Sequence, residues 1–145
     1  MPKIRDLMTR DVITVSLKDN VYEIAVKMRD NDIGFIPVVE GKQAIGCVTD
    51  RDLVIRGYAE KHSGSTSVET VMTKPCVKVS PDITAEEAAR IMAEKKIRRL
   101  VVEENGQLVG VVAIGDLAVR DKLRHESGEA LGEISEPGFE PVGSR

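Results

Sequence analysis

Gly46-Cys47-Val48-Thr49-Asp50-Arg51-Asp52-Leu53 returns sixty-four residues downstream as Gly110-Val111-Val112-Ala113-Ile114-Gly115-Asp116-Leu117. The same offset carries Met8-Thr9 onto Met72-Thr73, and it holds without a gap in between. Val15, Ser16, Glu23, Ala25, Met28, Ile33, Val38, Glu40 and Gln43 meet identical residues at 79, 80, 87, 89, 92, 97, 102, 104 and 107. A single constant spacing over most of the chain defines two related units. They divide it into repeat 1 (residues 1–61), a small polar linker (62–67, His62 to Ser67), repeat 2 (68–126) and a C-terminal segment (127–145).

Each unit predicts the same order of elements. A short strand, Val12–Val15 or Cys76–Val79, leads to a helix with apolar residues at i, i+3, i+4 and i+7: Val21/Ile24/Ala25/Met28 and Ala85/Ala88/Ala89/Met92. Thr84 with Glu87 is a capping box and Asn20 with Glu23 imitates it, because side-chain oxygen and carboxylate satisfy backbone donors that a helix start leaves orphaned. A hairpin follows, Phe35–Glu40 to Gln43–Thr49 and Arg99–Glu103 to Gln107–Ala113, with Asn105-Gly106 suited to a two-residue turn. A second helix closes each unit near residues 50–60 and 115–125. The fold class is α/β (α+β), with β-α-β-β-α repeats whose three strands are too few to bury both faces alone. The repeats must therefore pack on each other. Past Glu126 the chain is rich in Gly, Glu and Pro, and it reads as a short helical segment followed by a disordered tail.

Composition narrows the function. The chain has 145 residues, 41% hydrophobic and 31% charged, with net charge -3, no Trp and four other aromatics. Nucleic acid is not an expected partner, since there is little to stack bases or hold a phosphate backbone. Charges at Lys3, Arg5, Asp6, Arg10, Asp11 and Lys18 interrupt any N-terminal apolar stretch, and no later run approaches a membrane span. The expected location is the cytoplasm. Cys47 and Cys76 sit in apolar contexts and read as small buried hydrophobes, so neither a disulfide nor a metal site is expected. An activated Ser, a Cys/His pair, clustered carboxylates and a phosphate-transfer loop are all missing, and the chain does not read as an enzyme.

The ordered motifs, Met-Thr opening each repeat, Ile33-Gly34-Phe35-Ile36-Pro37-Val38-Val39 and Ile97-Arg98-Arg99-Leu100-Val101-Val102 before the hairpins, and the two Gly-started stretches after them, resemble the CBS-domain pair, or Bateman module. Asp32-Ile33-Gly34 and Thr49-Asp50-Arg51-Asp52 are similar to stand-alone bacterial CBS pairs, including the hypoxic-response type. The resemblance implies two repeats related by a pseudo-two-fold axis, a homodimer, and two clefts that both repeats build. It implies a ligand site at Gly46, Cys47, Thr49, Arg51, Asp52, Cys76, Val77, Ile97, Arg98 and Arg99. The expected ligand is an adenine nucleotide, AMP, ADP or ATP, with NAD(H) or S-adenosylmethionine behind them, and the function is that of a regulatory sensor. The alternative is a structural dimerisation module.

The residues make physical sense for that role. Thr49 offers a hydroxyl at a helix start where backbone N–H groups favour an anion. Asp52 can accept from both hydroxyls of a ribose, and Arg98 and Arg99 are fork-shaped donors suited to phosphate. Taken singly, Thr49 and Asp52 read equally well as a helix cap, and Arg98-Arg99 as a solvated pair that strand alternation sends to opposite faces. Gly46 and Gly110 read as places where strand backbone approaches a neighbour. The second cleft reads as the poorer one. Ala113 replaces Thr49, Gly34 and Phe35 replace Arg98 and Arg99, and of the motif only the ribose-type carboxylate, Asp116, survives, with Ile13 and Gly34 as the other residues of a weak secondary site.

Overall fold

Ile4 and Met8, at the start of repeat 1, are buried among Ala88, Met92, Leu100, Val102, Val112 and Leu117 of repeat 2. Val68 and Met72, their counterparts at the start of repeat 2, are buried with Val71 among Val15, Ile24, Met28, Ile36, Val38 and Val48 of repeat 1. Each repeat thus completes its core with the other's opening segment, so the boundary in sequence is not a boundary between cores. The computed structural model describes residues 2–118. The expected helix at 115–125 is seen as helix over 114–118, and its remainder and the C-terminal segment lie outside the described residues.

In repeat 1, a turn of 3-10 helix (Ile4–Asp6) precedes α1 (Val21–Asn31), β1 (Phe35–Glu40) and β2 (Gln43–Thr49). A continuous helical segment then begins as α2 (Asp50–Asp52), widens to a π-helix (Leu53–Gly57) and tightens to 3-10 (Tyr58–Glu60). Repeat 2 contributes α3 (Val68–Val71), β3 (Lys78–Val79), α4 (Ala85–Lys95), β4 (Arg99–Glu104) and β5 (Gln107–Ala113). Both long helices start on complete capping boxes, Asn20 with Glu23 and Thr84 with Glu87. The apolar stripe predicted for each faces the core, through Ile24 and Met28 and through Ala88 and Met92. Asn105 and Gly106 both take positive φ, 56° and 75°, as the second hairpin's two-residue turn requires. The hairpins carry the same register shift at the same repeat position, Val38/Val39 and Val102/Glu103. Among the described residues no helix is long and apolar enough to cross a membrane.

The opening strands are shorter than predicted, and unequal. In repeat 2 β3 lies parallel to β4, pairing Lys78 with Val101 and Val79 with Val102, and the Val101 N–H donates to the Val77 carbonyl at 3.1 Å. In repeat 1 the expected strand over 12–15 is reduced to one parallel bridge, Val15 with Val38. The residue at the position of Val101 is Pro37, which has no N–H to give Ile13, so the ladder cannot extend.

The two repeats are joined by matching backbone bridges. Cys47 and Thr73 exchange N–H···O bonds of 3.0 and 2.8 Å, and their equivalents Val111 and Thr9 exchange bonds of 3.0 and 2.8 Å. Such an approach leaves no room for a side chain. A Cβ on Gly46 would stand 2.7 Å from the Thr73 carbonyl oxygen, and one on Gly110 2.9 Å from that of Thr9. Arg5 adds an ion pair across the repeats with Glu104 at 2.7 Å, which it shares with Asp82 at 3.0 Å.

Gly46→Ala should therefore lower stability by about 1–3 kcal/mol, the usual cost of overpacking. Gly115→Ala should be neutral or stabilising by up to about 1 kcal/mol, because a Cβ there meets nothing within 4 Å and alanine favours helix. Urea unfolding of the two variants against the parent measures the difference.

Candidate ligand clefts between the repeats

The end of β2 turns directly into the helical segment at Thr49, whose extended backbone makes it an N-cap. The Thr49 hydroxyl accepts from the Asp52 N–H at 3.0 Å, and the Asp52 carboxylate accepts from the Thr49 N–H at 2.9 Å. In repeat 2 only the second half of this box survives: Asp116 accepts from the Ala113 N–H at 2.8 Å. The carbonyls of Gly34 and Arg98 receive equivalent bonds, from Asp50 at 3.0 Å and Ile114 at 2.9 Å. Each Ile33/Ile97 stretch is so held against the helix start of its own repeat.

A cavity of about 390 Å³ opens beside the first helix start, within the roughly 300–1,000 Å³ common for small-molecule sites. Of the ten site residues expected from sequence, all but Gly46 line it: Cys47, Thr49, Arg51 and Asp52 from repeat 1, and Cys76, Val77, Ile97, Arg98 and Arg99 from repeat 2. Gly46 instead lies under the Thr73 carbonyl and serves the join between repeats. Phe35, Asp50, Thr73, Pro75 and Lys96 complete the lining. A smaller cavity of about 260 Å³ holds Ile13, Gly34 and Asp116 together, with Thr9, Asp11, Asp32 and Arg99 among its other walls.

Arg98 and Arg99 do not separate to opposite faces as alternation predicts. Strand β4 begins only at Arg99, so the two-residue period does not yet apply at Arg98, and both line the larger cavity. Arg99 also lines the smaller one, with its guanidinium 5.8 Å from the centre of the Phe35 ring that both cavities share. Arg99 thus joins Asp116, the surviving ribose-type carboxylate, in the wall of the second cleft. Burial lowers the Arg99 pKa from its ordinary value, opposed by attraction to Asp50 in one cavity and Asp116 in the other. Burial likewise pushes the Asp116 carboxyl up, against the Ala113 N–H and Arg99.

Charge distinguishes the clefts. Arg51, Lys96, Arg98 and Arg99 face two carboxylates, Asp50 and Asp52, in the larger cavity. In the smaller one, among the described residues, Arg99 faces Asp11, Asp32 and Asp116. Sequence reasoning missed Lys96, which ends α4 in the left-handed conformation at φ 57°. The repeat offset places it opposite Asp32, another left-handed helix end at φ 53°. That comparison was the available signal. Among the described residues no group of three or more His, Cys, Asp or Glu side chains could hold a metal.

Two interlocked β-α-β-β-α repeats with clefts at their helix starts define a tandem regulatory module of the CBS type. The family description "CBS domain" matches residues 4–57 and 68–121, and the chain belongs to the CBS-domain family. It is 44% identical over 138 residues to YlbB of Bacillus subtilis, covering 94% of this chain and 93% of that protein. It is 30% identical over 120 residues to hypoxic response protein 1 of Mycobacterium tuberculosis, covering 81% and 84%. Among solved structures, CBSX2 in complex with AMP superimposes with a TM-score of 0.75 at 23% identity, over 86% of this chain and 98% of that one.

Because Thr49 and Asp52 cap each other, Thr49→Ala should cost about 1 kcal/mol of stability, whereas Thr49→Ser should retain most of it. Thermal denaturation of the ligand-free variants checks this, and equal losses in both would remove the cap from the account.

Proposed function

We propose that the chain is a non-catalytic cytoplasmic sensor that binds one adenine nucleotide, AMP, ADP or ATP, in the larger cleft and passes its occupancy to a protein partner. The charge of that cleft carries the reading: among the described residues, four cations against two carboxylates suit a phosphate, whereas the smaller cleft, lined by three carboxylates and one cation, disfavours one. The apolar side chains of Cys47, Cys76, Val77 and Ile97 offer walls for a base, and Asp52 keeps carboxylate oxygen available beyond its cap bond for a ribose. The AMP held by CBSX2, a protein of the same fold, supports AMP as the first ligand to test.

Calorimetry with AMP, ADP, ATP, NAD(H), S-adenosylmethionine and adenosine tests the proposal. One site per chain is expected. Charge-assisted hydrogen bonds are worth about 1.5–3 kcal/mol, so Arg98→Ala should weaken AMP by about tenfold or more and adenosine much less. Asp116→Ala should leave the tight site unchanged. No binding of any nucleotide would favour the structural module, for which the mutual capping of Thr49 and Asp52 is already a sufficient use of both residues.

The same reading includes a homodimer. Tyr22 on α1 and Val54, Ile55 and Tyr58 on the adjoining helical segment are 64%, 55%, 48% and 84% exposed, a group of large apolar side chains that a second copy would cover. Sedimentation at micromolar concentration should give twice the 15.9 kDa chain mass. A monomer, or a dimer unaffected by Ile55→Asp with Tyr58→Asp, would overturn the assignment of this face.

A further inference from the structure

The only two cysteines of the chain lie twenty-nine positions apart and belong to different repeats, yet the fold packs both into one apolar cluster. Cys47 lies on β2, in the bridge with Thr73, and three residues beyond Thr73 the chain reaches Cys76. Both side chains stand in the wall of the larger cavity, where each thiol perturbs the other. Ala44, Val101, Phe35 and Leu108 pack around the pair and hold both side chains in place. The cavity supplies an approach for a small reagent, although Cys76 itself is only 8% exposed.

We propose that Cys47 and Cys76 form a redox-modifiable dithiol that closes to an intramolecular disulfide, covalently tying repeat 1 to repeat 2 across the larger cleft. The oxidant is a low-molecular-weight disulfide. The Cys76 thiolate attacks one sulfur of that reagent, breaking its S–S bond and releasing the first small thiolate, which takes up a proton. The Cys47 thiol then gives up its proton and attacks Sγ of Cys76, releasing the second small thiol. Two protein thiols and one small disulfide become one protein disulfide and two small thiols.

The polarity of the pair assigns these roles. The hydrogen bond from Cys47 holds the Cys76 thiol down to about 7, helped by the charge of Lys78 and opposed by burial and Glu103. The same bond, with burial and the charges of Cys76 and Asp52, pushes Cys47 up, while Arg56 opposes. Cys76 is the attacking thiolate and Cys47 the resolving thiol. Disulfides in reducing compartments are characteristically transient and regulatory, which suits a bond that closes and reopens without reshaping the fold.

The full chain, free of nucleotide, is equilibrated with glutathione buffers of increasing oxidised fraction, acid-quenched, alkylated and mapped without reductant. The expected result is loss of both alkylatable thiols, a mass loss of two hydrogens, and a peptide linking residues 47 and 76 that dithiothreitol releases. Cys47→Ser should stop at a glutathione adduct on Cys76. Two thiols still alkylatable in excess oxidised glutathione would overturn the proposal, as would adducts or intermolecular links as the end product in the parent chain. The decisive map uses the parent protein, so it stands even where a variant fails to fold. Bond formation needs no nucleotide, so this result is independent of the sensor reading.

Discussion

Everything in this structure depends on a reciprocal exchange: the opening segment of each repeat is a piece of the other's core. Ile4 and Met8 are buried in repeat 2, Val68 and Met72 in repeat 1, and each segment then bridges to the partner hairpin at Thr9–Val111 or Thr73–Cys47. Neither core is complete without the other repeat, so folding of one should be strongly cooperative with folding of the other. The exchange also explains why glycine stands at 46 and 110. Those are the points where one backbone passes directly over another.

The clefts are a consequence of this join. Each helix start is carried by one repeat and faces the strand entry of the other, so two equivalent cavities arise from one symmetric arrangement. Their chemistry then diverges by single substitutions at matching positions: Arg98 for Gly34, Lys96 for Asp32, Thr49 for Ala113. The symmetry makes the space, and its violations set the charge. Arg99 and Phe35 are matching positions too, but they stack on each other between the cavities rather than serving one each. That places a partly desolvated cation where both clefts feel it.

The repeat, the capping boxes and both hairpins were legible because they rest on local rules that a constant offset doubles. Asn105-Gly106, for example, needs no tertiary information to be read as a turn. The failures have tertiary causes. Pro37 could be seen in the sequence, but only the position of residues 12–15 beside it reveals that its missing N–H truncates a ladder. The π-helical stretch at Leu53–Gly57 has no local signature of the kind that marked the caps. Lys96 and the double exposure of Arg99 to both cavities escaped because an offset aligns equivalent backbone and says nothing about where a long side chain ends. The proximity of Cys47 to Cys76 escaped for a related reason: the two are not equivalent positions, and the repeat comparison never sets them side by side.

The helical segment over residues 50–60 is where the cleft and the exposed face meet. Its first turn is the Thr49–Asp52 box in the cavity wall, and Val54, Ile55 and Tyr58 follow within two turns on the outside. Val54 and Ile55 lie in the stretch of π geometry, a form that is rare and usually confined to single turns at functional sites. On the sensor reading, a ribose drawing on Asp52 competes with or reinforces the bond that fixes the first turn. Any preference for one geometry of that turn is then felt by Val54 and Ile55 in the π stretch and by Tyr58 just past it. Such coupling requires the ligand to bind the two geometries with different affinity, and its size is limited to that difference. The cap is therefore the element through which occupancy of the cleft could bias the outer face, because it is the one feature that belongs to both.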